Sequence, residues 1–190
     1  MKEKLILMRN TADNLSGNTA FLESIEKATG LLIENLGKGG MVLVCGNGGS
    51  ATQASHMVGE LVGRFGFDRP ALPAFSLFDL ATTTAVGNDY GYDHVFSRFV
   101  DGLKNKNTVL ISISTSGNSG NCLKAMESAK ARGMKNVALL GKDGGKMKDL
   151  ADVAIVVPHN ETPLIQEVHL MVIHDLCEKI ENYFFGEKKL

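Results

Sequence analysis

The sequence predicts an α/β fold in which a parallel sheet is covered by helices on both faces. Short, continuously apolar runs recur along the chain, the pattern of strands buried on two sides. They alternate with longer stretches whose apolar residues recur at helical spacing. Two of the runs lead straight into Gly/Ser-rich turns that open helices. One is Met41-Val-Leu-Val-Cys45 followed by Gly46-Asn47-Gly48-Gly49-Ser50. The other is Thr108-Val-Leu-Ile-Ser-Ile113 followed by Ser114-Thr115-Ser116-Gly117-Asn118-Ser119.

Taken in order, residues 2–14 form a short helix with weak periodicity. Residues 20–36 form a stronger one, with Phe21, Ile25, Ala28, Leu32 and Leu36 on one face, closed by Gly37-Lys38-Gly39-Gly40. Strand 41–45 feeds a helix over 50–65. A short strand at 74–78 follows the turn between Pro70 and Pro73. Residues 92–103 read as a helix, 108–113 as a strand and 119–132 as a helix. Strands at 136–140 and 153–157 are joined by a Gly-rich link and a short helix near 146–150. A helix over 162–185 closes the chain. The whole, 1–190, reads as one domain, since no linker or repeat divides it. The helical segment 1–38 stands outside the alternating pattern and is expected to serve oligomer packing.

Bulk properties narrow the function. With 20 basic and 21 acidic residues the formal net charge is −1, which gives no footprint for nucleic acid or an anionic membrane. A hydrophobic fraction of 44% and a charged fraction of 22% suit a globular protein in water. No apolar run is long enough to span a bilayer, and Arg9 interrupts the N-terminal apolar residues too early for a signal peptide. Cys45, Cys122 and Cys177 lack metal or redox spacing and read as buried thiols. A cytoplasmic protein is expected.

A strand running into a glycine- and hydroxyl-rich turn and then a helix leaves backbone N–H groups and a positive dipole end free for an anion. Two such turns on one predicted sheet edge point to a phosphorylated ligand, with the hydroxyls of Ser114, Thr115, Ser116 and Ser119 as further donors. Gly46-x-Gly48-x-x-Ala51 also matches the alanine form of the dinucleotide fingerprint. That motif requires an acidic residue at the end of the next strand. Asp68 lies beside a Pro-bounded turn and Asp79 beyond the short strand, so neither fits and no nucleotide cofactor is expected.

His56 and Glu60 are four apart on the helix that starts at the first turn, and therefore share a face. Gln166, His169 and His174 lie on the last helix; His174 is about 80° round from Gln166 and roughly 12 Å further along. A His/Glu plus Gln/His set suits a borderline divalent ion such as zinc. The stretch from Gln166 to His174 is awkward for one ion on one helix, and a neighbouring subunit could relieve it.

Six segments together resemble the bacterial phosphoheptose isomerases of the sugar isomerase (SIS) domain family. They are Cys45-Gly-Asn-Gly-Gly-Ser-Ala51, His56-x-x-x-Glu60-Leu-x-Gly-Arg64, Gly87-Asn-Asp-Tyr-Gly91, Ile113-Ser-Thr-Ser-Gly-Asn-Ser119, Leu140-Gly-Lys-Asp-Gly-Gly145 and Ile165-Gln-Glu-x-His169-x-x-x-x-His174. The likeness runs from about residue 18 to 183. It implies a three-layer, flavodoxin-like α/β sandwich with a five-stranded parallel sheet, assembled as a homotetramer with sites between subunits. It also implies conversion of sedoheptulose 7-phosphate to D-glycero-D-manno-heptose 7-phosphate in heptose biosynthesis for lipopolysaccharide or capsule.

By the same resemblance Asn47, Gly48, Gly49, Ser50, Ser114, Thr115, Ser116 and Ser119 hold the sugar phosphate. Asp89 and Gln166 contact the rest of the substrate. Glu60 and His174 are the acid–base pair, and His56, Glu60, Gln166 and His174 bind one zinc. Glu60 is expected as the base on carbon and His174 at the oxygens, with the reverse assignment as the alternative. The chain departs from the family pattern at Leu164, where an arginine is usual, at Thr52-Gln53 and at Gly59. Two other functions stand beside this one: a SIS-domain regulator that binds a replication initiator, a group lacking the Glu/His pair, and an isomerase of another sugar phosphate.

Overall fold

The computed structural model describes residues 1–186. Five parallel strands form one sheet: β1 (Val42–Gly46), β2 (Ala74–Ser76), β3 (Val109–Ser114), β4 (Lys135–Gly141) and β5 (Val153–Val157). Their spatial order is β2-β1-β3-β4-β5. The connection reverses direction between β1 and β3, so the crevice beyond their carboxyl ends is the place where such sheets bind ligands. In the register Gly46 lies opposite Ile113 and Ser114 opposite Leu140, so the turns after β1 and β3 emerge side by side.

Alternate residues of the strands point into two cores. On one face Val42, Val44, Ile111, Ile113, Leu139 and Ile155 pack under α2 (Thr19–Gly37), α3 (Gly49–Val62) and α8 (Thr162–Phe185). On the other, Leu43, Cys45, Leu110, Ala138 and Leu140 pack under α5 (Ser97–Asp101), α6 (Gly120–Ala131) and α7 (Met147–Leu150). This is the three-layer arrangement expected from unbroken apolar strands. The three cysteines are free and buried, and burial, then the Glu60 charge, pushes the Cys177 thiol up to about 12. No helix among the described residues is long and apolar enough to cross a membrane.

The N-terminal segment divides in two. Helix α2 is capped by Asn18, whose side chain accepts from the Phe21 N–H at 3.0 Å. It buries Phe21, Ile25, Ala28, Leu32 and Leu36 against its own sheet layer. Helix α1 (Lys2–Ser16) buries only Thr11 and Leu15. Thus α2 serves as a covering helix of the sheet, and α1 alone stands apart from it.

Between β2 and β3 the structure differs from the sequence expectation. The strand expected over 74–78 is three residues long, and the helix expected over 92–103 is broken. A helix α4 (Leu80–Tyr90) comes first, then a 3₁₀ turn at Tyr92–His94, then α5. Gly91 at φ +89° interrupts the path, a conformation a side chain rarely adopts. Helix α4 starts at Asp79, whose carboxylate accepts from the Thr82 N–H at 2.8 Å. It buries no side chain, which is why no apolar periodicity announced it.

Candidate active site

The first turn is built for tightness. A Cβ on Gly46 would meet the Ser50 backbone, and Gly48 sits at φ +54°. Ser50 is buried at the start of α3. Asn47 joins the two halves of the sheet edge: it exchanges a reciprocal pair of 2.8 Å amide hydrogen bonds with Asn121 and accepts from the Tyr92 hydroxyl at 2.9 Å. Asn121 and Tyr92 were not among the expected site residues. The pairing is tertiary, and only Asn121's place just inside α6 could have suggested it.

The second turn gathers its hydroxyls. Ser114 Oγ lies 2.9 Å from Ser119 Oγ and 3.3 Å from Ser116 Oγ, and it accepts from the Gly117 N–H at 3.1 Å. Gly117 adopts φ +63°, and a Cβ there would strike the Gly144 carbonyl. Met147 donates its N–H to the Gly117 carbonyl at 2.9 Å, so the loop after β4 buttresses the turn. Thr115 Oγ1 reaches Thr162 Oγ1 at the 3.5 Å limit. The result is a rigid cluster of O–H and N–H groups at the N-terminal end of α6, suited to oxyanions. Asp89 is exposed on the last turn of α4 and accepts from the Asn88 amide at 2.8 Å. Asp93, which the sequence did not single out, places its carboxylate against Gly120 at the start of α6.

Across α3 and α8 the expected acid–base residues converge. His56 Nε2 lies 2.9 Å from His174 Nε2 and 3.3 Å from Glu60 Oε1. These three side chains present one nitrogen or oxygen each within 4.8 Å of one another. The Phe65 ring tilts against His174 at 5.8 Å between centroids. Two facing Nε2 atoms can share only one proton between them, so the trio satisfies itself poorly as hydrogen-bonding partners alone. Ligand atoms about 3.3 Å apart are what a tetrahedral ion with bonds of roughly 2.0–2.1 Å requires, and two imidazoles with one carboxylate are a zinc-type donor set. The residues present therefore fit such an ion.

Gln166 occupies a different level of the same interface. Its amide packs against Gly49, where a Cβ would collide with it, and its backbone carbonyl accepts from Gln53 Nε2 at 2.7 Å. Gly49 lies two turns of α3 before His56, about 10 Å along the helix axis. So α8 touches α3 twice, with Gln166 at the phosphate-turn end and His174 at the histidine end. His169 lies between them, wholly buried, with Nε2 3.1 Å from the Leu140 carbonyl. Leu164, where the resemblance leads one to expect an arginine, is buried and lines a cavity together with Leu5, Leu7 and Met8 of α1.

Comparison with known proteins shows the family and the fold. The SIS domain family model matches residues 11–141. A phosphoheptose isomerase of Helicobacter pylori (strain P12) is 53% identical over 163 residues, 85% of each chain. One from Sulfurimonas denitrificans is 44% identical over 188 residues, covering 98% of this chain and 96% of the relative. The solved structure of a phosphoheptose isomerase from Neisseria gonorrhoeae superposes with a TM-score of 0.89 at 38% identity, over 95% of this chain and 96% of that one.

Proposed function

Because the chain belongs to the SIS domain family and, within it, to the phosphoheptose isomerases, we propose that it interconverts sedoheptulose 7-phosphate and D-glycero-D-manno-heptose 7-phosphate. The observation that carries this reading is the meeting of Glu60 with His174 and His56 across α3 and α8. The same two helices border the edge where both phosphate-type turns emerge.

The division of labour follows from the layout. The donors of Ser114, Thr115, Ser116 and Ser119, with the turn around Asn47 and Ser50, hold the phosphate and so fix the orientation of a flexible sugar by binding energy remote from the chemistry. Glu60 takes a proton from C1 of the ketose, while His174 delivers one to the oxygen on C2; a ligating carboxylate is a poorer base, so with an ion bound Glu60 has to leave it or share it to act. The resulting enediol then takes a proton at C2 and gives one up from the oxygen on C1, leaving the aldose. Both transfers stay within one pair of groups because donor and acceptor carbons are adjacent.

Zinc is the ion proposed for the His56, Glu60 and His174 set; Gln166, the expected fourth ligand, would have to swing its amide away from Gly49 to join them. When bound, the ion would supply a Lewis acid for the carbonyl oxygen. The enzyme is further proposed to be a cytoplasmic homotetramer with sites shared between subunits. In support, α4 buries nothing within the chain, and Phe75, Phe78, Leu80, Tyr90 and Tyr92 are exposed around it. An initiator-binding regulator would have no use for the Glu60 and His174 pair.

The direct assay supplies a panel of ketose phosphates of five, six and seven carbons, with and without a chelator. Turnover of the seven-carbon substrate, lost on chelation and restored by zinc, is the expected result. Turnover indifferent to chelation would remove the metal, and preference for a shorter sugar would remove the heptose assignment.

A further inference from the structure

One buried ion pair lies outside the site yet touches everything that frames it. Arg69, in the loop after α3, donates from Nε to Glu181 Oε2 at 2.9 Å, and both side chains are only 2% exposed. The rest of its guanidinium is spent on carbonyls. Nη2 donates to the Glu60 carbonyl at 2.8 Å, and Nη1 to the carbonyls of Leu61 at 2.6 Å and Pro70 at 3.0 Å. The last carbonyls of a helix lack partners within it, so Arg69 caps the turn of α3 that carries Glu60.

Glu181 does the corresponding work on α8. Its carboxylate accepts from the Phe65 N–H at 2.8 Å, the Gly66 N–H at 2.6 Å and the Phe67 N–H at 3.3 Å, besides Arg69. Burial pushes its pKa up, and these four donors pull it further down, leaving the carboxyl below its ordinary range. Glu181 follows His174 by seven residues, two helical turns, so both lie on one stripe of α8. The loop segment it holds by the backbone is also the one whose Phe65 ring rests against His174.

We propose that Arg69 and Glu181 are positioning residues that lock the end of α3 to α8, setting the register in which Glu60 and His56 face His174. A buried pair is costly to desolvate and is often replaceable by apolar residues without loss of stability. Here its hydrogen bonds are distributed so that the Glu60 carbonyl, the Phe65 N–H and α8 are bound to one rigid node. Arginine's fork matters, because a lysine could reach one of these partners but not four. The inference rests on the proposed roles of Glu60 and His174, and the test separates the two.

The variants are Arg69→Lys and Glu181→Gln, with Phe65→Leu as a third that leaves the buried pair in place. Each is checked for folding by circular dichroism, then measured for kcat, for KM and for zinc affinity by competition with a chromophoric chelator. Loss of outer-shell support commonly costs 10–100-fold in metal affinity or activity. Falls of about that size in kcat and zinc affinity, with KM within about threefold, are expected for Arg69→Lys and Glu181→Gln, and a smaller fall in both for Phe65→Leu. Wild-type kcat and zinc affinity in the folded variants, with only a lower melting temperature, would reduce the pair to a structural brace. If the first two do not fold, Arg69→Gln, which keeps an N–H donor but not the charged fork, is read in the same way, and unchanged kcat and zinc affinity there overturn the proposal. Glu60→Gln and His174→Gln run alongside: full activity in either overturns the site assignment, whereas dead controls beside a normal Arg69→Lys sink the positioning role alone.

Discussion

At His169 burial decides the protonation state. The ring is fully enclosed between α8 and the end of β4; burial lowers its pKa to about 4, against the opposing effect of its hydrogen bond to the Leu140 carbonyl. The folded chain thus holds it neutral, while the unfolded chain binds a proton near pH 6.5. Its folded pKa being depressed, no penalty is felt above pH 6.5; stability is lost as the pH falls from there toward 4. The shift corresponds to a loss of up to roughly 3 kcal/mol. Urea titrations of wild type and His169→Gln at pH 7.5 and 4.5 should show a markedly shallower pH dependence in the variant; equal slopes would assign the acid sensitivity elsewhere. Histidines also mark the boundary between what a sequence reveals and what it hides. The i,i+4 spacing of His56 and Glu60 is enough to put them on one helix face. That His174 meets them, while Gln166 from the same helix packs against Gly49, depends on how two helices lie together.

Among the elements, the second turn is the one most tightly specified by its glycine. Gly117 combines a positive φ with backbone contact from Gly144, so an alanine must displace either the turn or the loop behind it. Gly117→Ala should raise KM for the sugar phosphate by tenfold or more and lower the melting temperature, with a smaller effect on kcat; an unchanged KM would mean this turn does not hold the phosphate. The elements that bury apolar faces were legible from periodicity: α2, α8 and the strands β1, β3, β4 and β5 fall within a residue or two of their expected limits. Helix α4 was not, because a helix with no buried side chain has no apolar period to read. The single helix expected over 92–103 failed for a complementary reason, since Val95 and Phe96 are buried at the junction between two short pieces and Val100 within the second. The node formed by Arg69 and Glu181 was also invisible, as its partners lie 112 residues apart.

For the molecule as a whole, strand order is what turns separate motifs into one site. The order β2-β1-β3-β4-β5 sets both Gly/Ser turns next to each other at the switch point, with the α3–α8 seam alongside. Parallel pairing and coverage on both faces could be read from unbroken apolar strands, but their left-to-right order could not, because periodicity carries no information about neighbours. On the proposed reading, the two turns hold the phosphate at one end of the sugar and its carbonyl is offered to Glu60 and His174 at the other. The decisive measurement is to incubate sedoheptulose 7-phosphate with wild type and with Glu60→Gln in D₂O and follow both by NMR. Wild type should form the seven-carbon aldose phosphate, with deuterium at C2 in the fraction of turnovers in which the Glu60 proton exchanges with solvent before its return, and Glu60→Gln should form at least about a hundredfold less. Aldose appearing at an undiminished rate with Glu60→Gln would contradict proton transfer by this carboxylate.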